Sequence, residues 1–408
     1  MISQKLNITR MTLQMSCMLF LFLFIHSSSV YGQINQSGSI NELIRNIRET
    51  MPGNGSNSFV IPGNVELQNF QTIVSDLRQK NLGVIQSKLL QYNYEFLKFT
   101  DTESNRVFYI LKEKSPISKG WGTYVYFPNS TDSLSIEVPH PIWDSNSWSL
   151  GIKTFISTNA SWFLMAGTHR YANSDTSSDV AHVTQSVFHV MHKVIGTPIA
   201  IQVHGYSRSN SIYTGYPDII ISNGTLYPPS KLFDLKAKFE SKGFSTGVFS
   251  FSTYQSLWRL GATTNTQGQW SNSNNKLFVH IEFEYFIRNS NQHTDNSVTT
   301  LRESFATITS IEYEKSINTQ NKKYQINQNF PNPFNNSTFL SFEISQPLQV
   351  DVTVYNVIGE VVYQELGREY ETGLNYLTLN LINSRSGIYF VQLQSKLFNE
   401  IKKITLLK

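Results

Sequence analysis

The sequence is short of cysteine, of charged residues and of long apolar runs. Its single cysteine, Cys17, lies near the start, so disulfides, thiol nucleophiles and thiolate metal sites are excluded from the rest of the chain. Charged residues make up 15% of the sequence and the net charge is only +4, with no basic stripe, which argues against a nucleic-acid partner. A metal site here would have to be built from His, Asp and Glu, a donor set that suits zinc.

The N-terminus has the layout of a secretory signal peptide. Lys5 and Arg10 precede an apolar run over residues 18–25, and small and polar residues follow up to Gly32. The run is too short to span a membrane, and Cys17 has no lipobox around it. We therefore predict that residues 1–32 are removed and that the mature chain, without a transmembrane segment, is secreted or held at the outer cell surface.

Hydrophobic periodicity divides the remaining chain into four parts. Residues 33–115 combine an amphipathic helix with strand-like runs, which predicts an α+β lead segment packed on the next part. Residues 116–315 alternate strands with helices, and this predicts an α/β domain with a mixed, mainly parallel sheet and flanking helices. A polar linker over 316–328 leads to short strands with period-two alternation, so residues 329–408 are expected to form a small all-β, Ig-like sandwich.

Three elements of the α/β part are predicted from local signals. Asp179 is expected to cap a helix that runs to about Val194, a strand is expected over residues 248–252, and residues 299–315 are expected to form the closing helix. Asp179 and His182 have a second interpretation, in which both line the rim of a site.

Ionisable side chains lie at the ends of several strands in this part. His140 and Asp144 follow the strand over residues 134–138, and prolines on both sides of His140 stiffen the backbone that presents it. His204 follows another apolar strand, and Glu282 lies on a third. The alternative is that the Pro-His-Pro turn merely ends a strand. Because ligand sites of open α/β sheets lie outside the carboxyl ends of the strands, these side chains are expected to converge.

Two histidines, a carboxylate and a separate glutamate are the side chains that a hydrolytic zinc site typically contains. We predict that His140, Asp144 and His204 hold Zn²⁺ and leave one position open for water. Glu282 then takes a proton from the water and passes it to the leaving amine. By contrast, His189 and His192 are three residues apart with no third ligand nearby, a pattern typical of a polar helix face.

Two segments resemble a known family. His204-Gly205-Tyr206-Ser207 resembles the segment of zinc carboxypeptidases that bears their second metal-binding histidine. The segment Ile281-Glu282-Phe283-Glu284, with Arg288 beyond it, resembles the strand that bears their catalytic glutamate. Poly-γ-glutamate hydrolases and N-acetylmuramoyl-alanine amidases, which share the same phosphorylase/hydrolase-like fold, fit as well, and residues 200–288 look closest to the poly-γ-glutamate hydrolase type.

The resemblance implies cleavage of a peptide, γ-glutamyl or cell-wall amide bond next to a free carboxylate. Arg170 or Arg208 would clamp that carboxylate, with His182 nearby, although each arginine is also plausible as a plain surface charge. The chain departs from the family at one point, because carboxypeptidases have His-x-x-Glu where this sequence has His140-x-x-x-Asp144.

A serine-esterase motif is present by composition but not by context. Gly243-Phe-Ser-Thr-Gly247 matches Gly-x-Ser-x-Gly, yet a nucleophile elbow requires a strand before the serine and a helix after it. Here a helix is predicted before Ser245 and a strand after it, which argues against a serine esterase.

The last segment resembles the C-terminal sorting domain of the type IX secretion system. The pieces that carry this are Asn329-Phe-Pro-Asn-Pro-Phe-Asn335, Val354-Tyr-Asn-Val-Ile-Gly-Glu-Val-Val362, Ser386-Gly-Ile-Tyr-Phe-Val-Gln-Leu393 and Lys402-Lys-Ile-Thr-Leu-Leu-Lys408. The resemblance implies export across an outer membrane and the secretion machinery as a partner; the alternative is an accessory sugar-binding sandwich. For the whole chain, the alternative to an enzyme is a non-catalytic surface protein that binds a glycan or a peptide.

Overall fold

The computed structural model describes residues 33–131, 133–305, 324–344 and 346–408. Within these residues the chain forms two compact units, one of residues 33–248 and 259–305, the other of residues 249–258 and 324–408. The predicted signal peptide and residues 316–323 of the predicted linker lie outside the described residues. In the described part of the chain, no helix has the length and apolar character needed to cross a membrane.

A ten-stranded sheet forms the centre of the first unit. Its strands are β1 (Ile34–Gly38), β2 (Tyr94–Asp101), β3 (Val107–Glu113), β4 (Thr123–Tyr126), β5 (Leu134–Val138), β6 (Trp162–Met165), β7 (Ile199–Tyr206), β8 (Ile219–Ser222), β9 (Thr246–Val248) and β10 (Leu277–Glu284). They lie in the order β1-β2-β3-β4-β6-β5-β7-β10-β8-β9, and the central pairings β6–β5, β5–β7 and β7–β10 are parallel.

Helices accompany these strands along the chain. In the first unit they are α1 (Ile40–Glu49), α2 (Asn64–Arg78), α3 (Ile85–Leu90), α4 (Ser147–Thr158), α5 (Val187–Ile195) and α6 (Ser230–Ser241), and, after α7 (Tyr254–Leu257) of the second unit, α8 (Thr266–Ser273), α9 (Tyr285–Arg288) and α10 (Asn291–Phe305). All five residues of β5 are buried, as expected for a strand covered on both faces. The predicted mixed α/β fold is confirmed.

Residues 33–115, predicted as a lead segment, supply β1, β2 and β3 to the same sheet. Phe70 of α2 and Tyr94 of β2 share a core cluster with Trp162 of β6 and Phe188 of α5. The predicted boundary after residue 115 therefore runs between two adjacent strands, β3 and β4.

The second unit contains two antiparallel sheets built from short strands. These are β11 (Tyr324–Ile326), β12 (Ser337–Ile344), β13 (Leu348–Asn356), β14 (Val361–Tyr370), β15 (Gly373–Asn380), β16 (Gly387–Gln394) and β17 (Asn399–Leu406), ordered β11-β12-β15 and β14-β13-β16-β17. The predicted period-two alternation holds in β13, where Val350, Val352 and Val354 are all buried. The all-β sandwich is confirmed, with two strands that the sequence did not reveal: β14, and β11, which lies inside the predicted linker over 316–328.

Three predicted elements are corrected. Helix α5 starts at Val187, because Ser186 caps it by accepting the His189 N–H, so Asp179 is not a cap. The strand expected over 248–252 is replaced after Val248 by a 3₁₀ turn over Phe251–Thr253, where Ser250 forms a capping box with Thr253.

The closing helix is the third correction. It begins at Asn291, eight residues earlier than predicted, and what was predicted beyond Phe305 lies outside the described residues. Its first turns bury small hydroxyl residues such as Thr294 and Ser297, which hide the apolar periodicity.

Candidate metal centre

The turn after β5 places His140 and Asp144 together. Past Pro139 and Pro141 the chain closes on itself, with the Asp144 N–H donating to the His140 carbonyl at 3.0 Å. This turn brings Asp144 Oδ2 to 3.4 Å from His140 Nδ1. Both side chains are almost completely buried.

His204 completes the cluster from the neighbouring strand. It lies near the carboxyl end of β7, which pairs in parallel with β5, and its Nδ1 is 3.3 Å from Asp144 Oδ2. The His140 and His204 rings pack edge to face with centroids 4.9 Å apart. The structure thus brings together all three residues that the sequence nominated as metal ligands, in an arrangement able to hold a metal ion.

Each histidine turns its other ring nitrogen to a buried oxygen. His140 Nε2 lies 2.8 Å from Asp179 Oδ1, and His204 Nε2 lies 3.2 Å from Gln202 Oε1. An ionised carboxylate can only accept a hydrogen bond, so His140 carries a proton on Nε2. Within the described residues, His140 Nδ1 and Asp144 Oδ2 have no hydrogen-bond partner.

The electrostatics of the cluster favour an ionised Asp144. Although burial opposes it, His140 and His204 together hold the pKa of Asp144 well below its usual range. Burial and the Arg170 charge act to lower the pKa of His140, but the carboxylates of Asp144 and Asp179 outweigh them and raise it. Burial lowers the pKa of His204 to about 4.

Glu282 faces His204 from the adjacent strand. The parallel register of β10 and β7 pairs Glu282 with His204 and His280 with Gln202. Burial, together with the charge of Asp144, raises the pKa of Glu282 to about 8. Among the described residues its Oε2 lacks a hydrogen-bond partner. The predicted proton carrier therefore lies next to the predicted ligands.

His280 is a site residue that the sequence reasoning missed. Its ring lies 4.4 Å from the His204 ring, and its Nε2 lies 3.6 Å from Glu282 Oε1. Because of burial and the neighbouring histidine, its pKa is well below the ordinary value, so the imidazole is neutral. The signal that would have found it is strand periodicity, since His280 and Glu282 are two residues apart and point to the same face.

Asp179 and Arg170 lie on the other side of His140. Arg170 Nη2 contacts Asp179 Oδ2, and the pKa of Asp179 is held far below its usual range, since His140, His182 and Arg170 outweigh the effect of burial. His182 Nδ1 is 3.2 Å from Asp179 Oδ1, with a side chain that is 41% exposed. Asp179 and His182 therefore occupy the edge of the cluster, in agreement with their second interpretation.

Arg208, the other predicted anchor, is occupied elsewhere. Its Nη2 forms an ion pair with Asp218 Oδ1 at 2.8 Å, and its backbone N–H donates to Glu284 Oε1 at 2.9 Å. The structure does not bring Arg208 into the cluster of predicted ligands. Arg170, by contrast, contacts Asp179, which is hydrogen-bonded to His140.

The two patterns set aside in the sequence have structural roles. Ser245 lies between α6 and β9, with the helix before it and the strand after it, so the context of a nucleophile elbow is absent. His192 bonds Glu137 Oε1 at 2.7 Å and Ser271 at 3.0 Å, while His189 meets Gln267 at 3.2 Å.

Comparison with known proteins gives one family match. Residues 328–406 match the family model of the secretion system C-terminal sorting domain. This finding confirms the predicted sorting domain, and it means that the chain is exported through contact with the secretion machinery and is secreted or attached to the cell surface. No curated protein matches the sequence.

Solved structures give only weak similarities. PorZ, a type IX secretion component of Porphyromonas gingivalis, is 13% identical over 21% of this chain and 11% of its own, with a TM-score of 0.16. Gene product Atu2144 of Agrobacterium tumefaciens is 12% identical over 45% of this chain and 89% of its own, with a TM-score of 0.31. An endo-β-1,4-mannanase of Thermotoga petrophila is 12% identical over 53% and 40%, with a TM-score of 0.18. Scores this low do not support inferences about the first unit.

Proposed function

We propose that this exported protein is a zinc-dependent hydrolase of an amide bond, peptide or γ-glutamyl, next to a free carboxylate. The observation that carries the proposal is the convergence of His140 Nδ1, His204 Nδ1 and Asp144 Oδ2 in a buried place. Asp179 fixes a proton on His140 Nε2, so in the neutral form of the ring Nδ1 presents its lone pair to the Asp144 carboxylate. Burying acceptors against one another is costly unless a positive charge lies between them.

The donor set fits zinc in spacing as well as in chemistry. Zinc with tetrahedral bonds of about 2.0–2.1 Å holds its ligand atoms about 3.3–3.4 Å apart. Asp144 Oδ2 lies 3.4 Å and 3.3 Å from the two Nδ1 atoms. The Asp179–His140 pair supplies the carboxylate–histidine contact that orients zinc ligands in proteins.

The surrounding residues supply the rest of the chemistry. Zinc held there would polarise the scissile carbonyl and lower the pKa of a water molecule in the open position. In its ionised form Glu282 would accept the proton that the attacking water loses, and would then donate it to the leaving amine as the C–N bond breaks. The Arg170 guanidinium, whose Nε has no partner in the described part of the chain, would anchor the substrate carboxylate.

Metal content is the first test of this proposal. We expect about one zinc per chain in the purified full-length protein by elemental analysis, and none in a His140→Ala, His204→Ala double variant. His293→Ala is the matched control, because its Nδ1 contacts only Ser290 among the hydrogen bonds found for this ring. If the protein takes up no zinc under any loading condition, the proposed hydrolase activity is refuted. The alternative, a non-catalytic binding protein of the cell surface, is then the better account.

Glu282→Gln tests the catalytic step. We expect zinc to be retained and hydrolysis of γ-glutamyl chains, peptides or muropeptides to fall by at least about 100-fold, the usual contribution of a positioned acid–base group. Glu284→Gln is the control, because Glu284 lies two residues further along the chain and accepts N–H groups from Arg208 and Phe286. Full activity in Glu282→Gln would remove this glutamate from the mechanism.

A further inference from the structure

A buried polar network lies behind His204. Its centre is Gln202, which is completely buried on β7, two residues before His204 and on the same face of the strand. Such a network stabilises a fold only when every buried polar group in it has a hydrogen-bond partner. Its position beside a proposed metal ligand therefore calls for an explanation.

Glu137 fixes one end of Gln202. This fully buried carboxylate accepts from Gln202 Nε2 at 2.9 Å and lies 2.7 Å from His192 Nδ1. Burial acts to raise the pKa of Glu137, but the charge and hydrogen bond of His192 outweigh burial and lower it, so Glu137 is ionised and can only accept. The amide nitrogen of Gln202 must therefore face Glu137.

Two more amides impose the same orientation. Gln267 donates from Nε2 to the Val180 carbonyl at 2.9 Å, which leaves its Oε1 facing Gln202 Nε2 at 3.2 Å. Asn265 accepts the Gly268 N–H on its Oδ1 at 2.9 Å, so its Nδ2 donates to Gln202 Oε1 at 2.8 Å. Flipping Gln202 would set like groups against each other at all three contacts.

We infer that Gln202 is a positioning residue that fixes the tautomer of His204, an inference that rests on the proposed metal function. With its orientation locked, Gln202 presents Oε1 to His204 Nε2 at 3.2 Å. An oxygen in that position can only accept a hydrogen bond from Nε2–H, which favours the His204 tautomer with its proton on Nε2. The lone pair is then on Nδ1, which faces Asp144 Oδ2. The other tautomer would put a proton into the metal centre and a lone pair against the Gln202 oxygen.

The test compares Gln202→Met with the natural sequence, both as full-length protein. Methionine has a similar length but offers no comparable acceptor, so we expect zinc affinity, measured by competition with a chelator, to fall about 10–100-fold, the usual effect of losing such a partner. Gln86→Met is the matched control, because Gln86 is a buried glutamine whose Oε1 accepts the Phe96 N–H instead.

The tautomer is read directly by ¹⁵N NMR of the histidine rings in metal-free protein, with His204 assigned from a His204→Gln variant. We expect the Nε2–H form in the natural protein and loss of this preference in Gln202→Met. An Nδ1–H form in the natural protein would overturn the inference even if Gln202→Met fails to fold. Unchanged zinc affinity in Gln202→Met would also overturn it. If the natural protein fails to bind zinc, the proposed function is refuted instead. Because the tautomer is measured without metal, it tests the role of Gln202 separately from zinc binding.

Discussion

Replacing Gly205 with alanine is expected to destabilise the first unit strongly. A Cβ at this position would lie 2.2 Å from Cζ and Nε of Arg288, far inside contact distance. Arg288 is buried and donates to the Phe283 and Tyr206 carbonyls at 3.0 Å each, and also to the Ser145 carbonyl next to Asp144. If the bonds from Arg288 to the Phe283 and Tyr206 carbonyls are broken, the free energy of unfolding should fall by about 3–6 kcal/mol, since each hydrogen bond to a charged group contributes about 1.5–3 kcal/mol.

Urea unfolding followed by tryptophan fluorescence measures this loss. Five of the six tryptophans lie in the first unit and only Trp258 lies in the second, so the signal reports mainly on the first unit. Gly83→Ala is the control, because its Cβ would meet nothing within 4 Å. A loss below about 1 kcal/mol, the ordinary effect of a point substitution, would refute the reasoning. In an Arg288→Ala background the penalty of Gly205→Ala should almost disappear, since the clash is gone.

Three further predictions concern the buried carboxylate of Glu137, the proposed metal centre and export. Glu137→Gln should cost about 1.5–3 kcal/mol near pH 7, because it removes the buried charge that accepts hydrogen bonds from His192 and Gln202. The folded-state pKa of Glu137 is lowered, so this contribution is present above the usual value of 4.5 and is lost as pH falls below it. Urea titrations at several pH values should show the gap between the two proteins narrowing in acid; a constant gap would contradict the assignment. Asp179→Asn should weaken zinc binding about 10–100-fold in chelator competition, because His140 loses a charged acceptor; unchanged affinity would exclude Asp179 from orienting the ligand. Deleting residues 328–408 should leave the chain in the periplasm of a bacterium with type IX secretion, as judged by immunoblots of cell fractions. Normal export of the truncated chain would show that the matched domain is dispensable.

Local sequence was sufficient for most strands of the sheet and for the convergence of the three proposed ligands. The bounds of β5 were predicted correctly because an apolar run stops at a proline. His140, Asp144 and His204 were found since a strand end is a local signal, and neighbouring parallel strands place their ends together. Helix α5 was placed wrongly because Asp179 has the chemistry of a cap but uses its carboxylate on His140.

The sequence by itself determined the classes of chemistry open to this protein. One cysteine near the N-terminus removed thiols, four spaced motifs indicated the sorting domain, and strand ends nominated His140, Asp144 and His204. Each of these signals lies within a few neighbouring residues, which is why it can be read without a structure.

Only the tertiary structure decided how these side chains are held. The bond between His140 and Asp179 joins residues 39 apart, and the bond between Glu137 and Gln202 joins residues 65 apart. Such partners depend on which strands become neighbours and in what register, and no local pattern encodes this. For the same reason Arg208 was a plausible anchor in the sequence, and only the fold showed that Asp218 pairs with it.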